Sequence, residues 1–209
     1  MTAVIRYGAR QRDCTNLGPG RRTVIWVHGC CFHCEGCIAQ AFAGEKAAPP
    51  EEISPGEMAD WVLAGEACDG LTVSGGEPML QAEALADMVS RIRAVRDMGL
   101  IVYTGFVYET LAERAETDPG IRRFLGQIDL LIDGPYVREL DVNQPYQGSS
   151  NQRMICLTPR YREALETYYA GKKGREVEIR LTEGRLILVG VPSADQAQAW
   201  QALKRLSEV

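Results

Sequence analysis

A chain of 209 residues and 23.1 kDa has the size of one domain, or of one domain with a small appendage. Its 45% hydrophobic content supplies a buried core, and a net charge of -5 with a pI near 5.2 argues against a general nucleic-acid binder, which is usually basic. No apolar run approaches the roughly 18 residues needed to span a bilayer, and the N-terminus lacks the apolar core of a signal peptide.

The seven cysteines are odd in number and mostly clustered, which fits a reducing cytoplasm better than a secreted disulfide scaffold. The basic pairs Arg21-Arg22 and Lys172-Lys173 read as solvated surface.

In chain order, residues 1–22 read as an irregular lead-in ending in a turn cluster from Gly18 to Arg22. A strand at 23–28 follows and runs straight into Gly29, Cys30, Cys31, Phe32, His33, Cys34, Glu35, Gly36 and Cys37. The stretch 44–56 reads as a loop. Ser54, Pro55 and Glu57 form a capping-box signature for a helix running to about Gly65. A short strand at 71–74 closes on Gly75-Gly76-Glu77-Pro78. The next helix places Leu80, Leu85, Met88, Val89 and Ile92 on one face, with Gly99 at its C-cap. Strand 100–104 breaks at Gly105, and 109–116 returns to helix.

A fourth strand spans 128–133 and stops at Gly134-Pro135. Residues 134–150 are turn-rich, and 153–157 give a fifth strand. Pro159 opens a helix to about Ala170. Segments 177–181 and 185–189, joined through Glu183-Gly184, read as a hairpin. Ser193 caps a last helix, with Trp200, Leu203 and Leu206 on its apolar side. Alternating strand and helix predicts a parallel sheet, with residues 1–158 as core and 159–209 as an extension packed on it. The first three strand ends carry the cysteines, Ser74-Gly75-Gly76-Glu77 and Tyr103-Thr104-Gly105 on one edge, where α/β folds bind ligands.

Four cysteines within nine residues cannot pair among themselves without strain, so metal is the natural reading. Cys30, Cys34 and Cys37 have C-x3-C-x2-C spacing. Cys31, Cys34 and Cys37 have C-x2-C-x2-C spacing and would need a fourth thiolate from Cys14, Cys68 or Cys156. A zinc site adding His33 or His28 is a third arrangement.

The first cysteine spacing, followed by a Gly-Gly-Glu-Pro strand end, resembles the radical S-adenosylmethionine superfamily. Asp13, Gly18–Arg21, Ser74–Pro78, Tyr103–Gly105, Asp129–Pro135 and Gly148–Arg153 are similar to the activating proteins of anaerobic ribonucleoside-triphosphate reductase. The resemblance covers roughly residues 10–157. Gly36 stands where many superfamily members have an aromatic residue, as in those activases. Cys31 and the residues beyond Pro159 are additions to the pattern.

The resemblance implies an incomplete, open α/β barrel of parallel strands with a C-terminal β-hairpin and helix. It implies a [4Fe-4S] cluster on Cys30, Cys34 and Cys37, whose open iron is chelated by S-adenosyl-L-methionine. Backbone near Gly36 and Ile38 would lie against the adenine. Ser74, Gly75, Gly76, Glu77 and Thr104 would meet the ligand, and Asp133 and Arg153 would face it too. The implied partner is a glycyl-radical enzyme, with a donor such as flavodoxin or ferredoxin. A radical enzyme acting on a small molecule or ribosomal peptide, and a non-catalytic iron–sulfur carrier, are the alternatives.

Overall fold

The stretch expected to be an irregular lead-in is a ten-residue strand, β1 (Ile5–Cys14). In this computed structural model, which describes residues 3–43, 47–170, 174–182 and 185–207, β1 runs antiparallel to β2 (Arg22–Val27). Only Ile5, Tyr7 and Cys14 of β1 are fully inward. Five of its other seven residues are polar or charged, so no apolar alternation announces it. The guanidinium groups of Arg10 and Arg12 lie 4.5 and 4.2 Å from the Trp61 ring, which lets their stems cover apolar surface.

After β2 the cysteine loop leads into α1 (Gln40–Ala43). The stretch expected as a loop then carries β3 (Glu51–Ile53), an antiparallel edge strand on β1. Helix α2 (Pro55–Leu63) begins with the expected capping box: Glu57 N donates to Ser54 Oγ at 3.2 Å, and Ser54 N to Glu57 Oε2 at 3.1 Å. Strand β4 (Gly70–Gly75) is followed by a 3₁₀ turn over Pro78–Gln81 and α3 (Ala82–Val95). Leu85, Met88, Val89 and Ile92 are buried as expected, whereas Leu80 lies in the turn and is 45% exposed. Gly99 does not cap α3, which ends at Arg96; it opens β5 (Gly99–Tyr103).

The helix expected at 109–116 is α4 (Tyr108–Thr117), and a separate α5 (Pro119–Leu125) follows it. Asp118 makes the break. Its Oδ1 accepts from Gly120 N and Ile121 N, with Pro119 at the first helical position. Strand β6 (Leu130–Asp133) is shorter than expected, and β7 (Arg153–Cys156) pairs with it antiparallel. The connection between them holds only a 3₁₀ turn, Arg138–Leu140, and so lacks the crossover helix that a parallel return uses.

A 3₁₀ turn and α6 (Arg162–Ala170) lead to the hairpin β8 (Val177–Thr182) and β9 (Arg185–Gly190). Its joining residues Glu183 and Gly184, like Lys172 and Lys173, lie outside the described residues. Helix α7 (Ala194–Ser207) is capped by Ser193, whose Oγ accepts from Gln196 N at 3.3 Å, and it buries Trp200. The side chain of Leu206 is also outside the described residues.

The seven-stranded sheet has the order β3-β1-β2-β4-β5-β6-β7. Its four central strands are parallel and both flanks are antiparallel, so the expected all-parallel arrangement holds only at the centre. One face packs Ile25, Val73, Val102 and Leu131 against Met58, Leu85, Met88 and Phe124 of the helices. The C-terminal residues cover the other face. Val189 packs with Leu17, Val24 and Trp26, and Leu165 and Tyr161 pack with Ile101 and Leu130.

Arg22, expected at the surface, is fully buried and donates to Thr72, Tyr161 and three carbonyls. The pair reads as solvated only because a sequence does not show that residue 22 points inward from β2. Among the described residues no helix is long and apolar enough to cross a membrane.

Candidate functional site

The C-terminal ends of β2, β4 and β5 open onto a cleft of about 930 Å³. The cysteine loop is pinned where it begins: His28 N donates to Arg6 O, and Gly29 N to Phe42 O, each at 2.9 Å. Gly29 and Gly36 have φ of +95° and +75°, the left-handed region in which glycine is unstrained. Cys30, Cys34 and Cys37 are half-buried and line the cleft. Cys31 is exposed and is not among its lining residues. Burial pushes the Cys30 thiol up to about 11, with nearby Glu77 adding to the rise, and burial also raises Cys37. Thiols in such a place ionise when a metal supplies the compensating charge.

Among the described residues no three Cys, His, Asp or Glu side chains converge as a single-ion site demands. His28 is engaged elsewhere, through Nε2 and the carbonyl of Ala48 at 2.8 Å, whereas His33 lines the cleft. Three separate thiols on one cleft wall suit a cluster, in which each thiolate takes its own iron.

Gly75 and Gly76 line the same cleft, yet the need for glycine arises from the chain itself. A Cβ on Gly76 would lie 2.1 Å from the carbonyl oxygen of Gly29, and one on Gly75 would lie 2.5 Å from that of Val27. Gly76 N donates to Val27 O at 2.7 Å and Glu77 N to Gly29 O at 2.8 Å. The Gly-Gly pair therefore seats the cysteine loop against β4.

Glu77 is 1% exposed. Its carboxylate accepts from Met79 N at 2.9 Å, and from Thr104 Oγ1 and Gly105 N at 2.8 Å each. Burial raises its pKa and these three donors pull it back. With about four acceptor directions on a carboxylate, little capacity is left for a ligand. Glu77 and Thr104 thus join the ends of β4 and β5, and Ser74 and Thr104 also line the cleft, as do Gly36 and Ile38.

Phe32 fastens the loop to β5. Its ring meets that of Phe106 edge-on at 4.9 Å and fills the space where Gly105 lacks a side chain.

Asp133 and Arg153 were expected to face the ligand, and the structure does not bring either into the cleft lining. Asp133 is fully buried, accepts from Tyr108 N at the start of α4, and pairs with Arg153 across β6 and β7. Arg153 also holds Glu109 with two hydrogen bonds of 3.0 and 2.7 Å. A carboxylate at a strand end and an arginine opposite satisfy each other when the register aligns them. Sequence reasoning missed Tyr136, Arg138, Asp141, Arg175 and the segment around 188–197, all of which line the cleft. Tyr136 follows the Gly134-Pro135 turn, which marked its loop; nothing marked Arg175.

Residues 16–155 match the family described as a 4Fe-4S single cluster domain. The chain belongs to this family. As a 4Fe-4S single cluster protein it is similar to curated relatives named anaerobic ribonucleoside-triphosphate reductase-activating protein. That of Haemophilus influenzae is 32% identical over 149 residues, covering 65% of this chain and 87% of the relative. That of Vibrio cholerae is 31% identical over 143 residues, again 65% and 87%. That of enterobacteria phage T4 is 27% identical over 140 residues, covering 66% and 85%. Cys30, Cys34 and Cys37 all fall within the matched residues, as does Cys31.

Proposed function

We propose that the chain is a radical S-adenosyl-L-methionine enzyme of the cytoplasm that activates a glycyl-radical partner, most directly an anaerobic ribonucleotide reductase. The observation that carries the reading is the division of the cysteines: Cys30, Cys34 and Cys37 line the cleft and Cys31 does not. Three thiolates on four irons leave one iron for a ligand other than protein. The names of the relatives supply the partner class. Held by Cys30, Cys34 and Cys37, a cluster would supply one electron, drawn from a donor such as flavodoxin or ferredoxin, for reductive cleavage of S-adenosyl-L-methionine to methionine and a 5′-deoxyadenosyl radical, which would take a hydrogen atom from the partner's glycine.

The chain's own residues hold and position what enters the cleft. Cys30, Cys34 and Cys37 hold the iron, and Phe32 fixes their loop to β5. Gly75, Gly76 and Ser74 bring main chain to the cleft edge, while Glu77 and Thr104 keep that edge rigid. Gly36 and Ile38 border the adenine side. The sheet serves as the wall of an open α/β barrel, through whose mouth a protein loop reaches the cleft. Modification of a ribosomal peptide or small molecule is a second reading, favoured by the C-terminal residues that also line the cleft.

Anaerobic reconstitution with iron and sulfide, followed by EPR of the reduced protein with and without S-adenosyl-L-methionine, tests the radical reading. A spectrum that shifts and 5′-deoxyadenosine in the products are expected. An unchanged spectrum with no 5′-deoxyadenosine leaves an electron carrier. A glycyl doublet on an added anaerobic reductase identifies the partner class, and turnover of a small substrate without any doublet selects the second reading.

A further inference from the structure

One wall of the cleft comes from beyond the family-matched residues. Leu188, Val191, Pro192 and Ala197 line it, and Arg175 stands where this segment begins. The Arg175 side chain is buried and ties two parts of the chain together. Nη1 donates to Pro192 O at 2.9 Å on the C-terminal side. Nε donates to Gln144 O at 3.2 Å and Nη2 to Gly148 O at 2.5 Å, on the loop after β6. Nη1 also pairs with Asp141 Oδ1 at 2.8 Å. The other oxygen of Asp141 accepts from Tyr136 Oη at 2.9 Å. The Tyr136 ring, in turn, lies 3.6 Å from the Cβ position of Gly36, between Cys34 and Cys37.

These contacts form one path from the C-terminal segment to the cysteine loop. The loop they cross, residues 134–152, has no α-helix or named strand, only a 3₁₀ turn and a bridge between Asp141 and Ser149. A segment with so little backbone pairing takes its position from side-chain tethers. A guanidinium with several fixed donors and a charged partner is a strong tether. Burial and the Asp141 hydrogen bond push the Tyr136 phenol up to about 12, so the donor proton stays in place.

We infer that Arg175 is a positioning residue, through which the C-terminal segment sets the loop after β6, and that the Tyr136 ring so placed bounds the ligand subsite beside Gly36. The part given to Tyr136 rests on the proposed binding of S-adenosyl-L-methionine; the tether does not. The segment beyond residue 158 is then a part of the site.

Arg175→Ala risks misfolding because the side chain is buried, so the test uses Asp141→Asn and Tyr136→Ala, with Tyr136→Phe as the conservative variant. Amide hydrogen exchange over 134–150 should quicken about tenfold in Asp141→Asn, the worth of one charge-assisted hydrogen bond, with α3 unchanged. In iron-loaded protein, S-adenosyl-L-methionine should bind about tenfold more weakly to Tyr136→Ala than to wild type, at equal iron content, with Tyr136→Phe between them. Wild-type exchange in both Asp141→Asn and Arg175→Lys, which keeps the charge but not the fork that reaches the three carbonyls, overturns the tether. Wild-type affinity in Tyr136→Ala overturns the part given to the ring. If the unaltered protein binds no S-adenosyl-L-methionine, the radical reading and the ring's part both fall, and the exchange result alone decides the tether.

Discussion

The backbone N–H of Glu77 donates to the carbonyl of Gly29 at 2.8 Å, so the end of β4 and the start of the cysteine loop are joined main chain to main chain. Gly76 makes this approach possible, since a Cβ there would stand 2.1 Å from the same carbonyl oxygen. Neither atom belongs to a flexible side chain that can swing away. Gly76→Ala should displace the loop, lower stability by about 1–3 kcal/mol as overpacking does, and reduce the iron retained on reconstitution. Iron per chain and the thermal midpoint check both effects. A variant with full iron would show that the loop moves without losing the cluster.

The ligand choice has its own test in Cys31. That thiol is exposed and outside the cleft, while its neighbour Cys30 is half-buried within it. Cys31→Ala should keep its iron, and Cys30→Ala, Cys34→Ala and Cys37→Ala should each lose most of it. Anaerobic iron and sulfide determination on the four variants decides the matter. Loss of iron in Cys31→Ala would move the ligand set to the C-x2-C-x2-C spacing.

The cysteine loop, the Gly-Gly-Glu-Pro strand end and the central strands were legible in the sequence because each is written in local chemistry. Short apolar runs bounded by glycine mark buried parallel strands, and clustered thiols mark metal. The capping box at Ser54 and the N-cap at Ser193 were legible for the same reason. What was not legible depends on partners distant in sequence. Strand β1 is polar along most of its length, and it is a strand because β2 and β3 pair with it. Arg22 meets Tyr161, and Asp133 meets Arg153. A functional role for Asp133 and Arg153 followed from their place at the right edge. Their mutual pairing, outside the cleft lining, follows only from the β6–β7 register.

Arg22 is a buried cation whose hydrogen-bond partners are all uncharged. Nε donates to Thr72 Oγ1 at 2.6 Å, Nη1 to Tyr161 Oη at 2.8 Å, and Nη2 to Leu71 O at 2.6 Å, with Pro19 O and Gly99 O completing the set. It joins β2 and β4 to the Tyr161 turn, and so holds the C-terminal residues on the sheet. Arg22→Met would keep the length and strand these acceptors, costing about 2–4 kcal/mol. Tyr161→Phe removes one of the five bonds and should cost about 1 kcal/mol. Urea midpoints of the two variants should fall in that order; equal midpoints would mean that Arg22 contributes only through Tyr161.

Glu109 gives a pH dependence of definite sign. Hydrogen bonds from Arg153 hold its carboxyl down to about 2, from an ordinary 4.5. The native state therefore releases this proton more readily than the unfolded chain. Its contribution to stability is complete above pH 4.5 and is lost as the pH falls toward 2. Because the pair is exposed, salt should shrink the effect. Glu109→Gln should flatten the fall in thermal midpoint between pH 4.5 and 2.5, measured before iron is added and at low ionic strength, with wild type and variant converging at about 1 M salt. Parallel acid limbs at low salt would mean that Arg153 draws its hold on the α4 start from Asp133 alone.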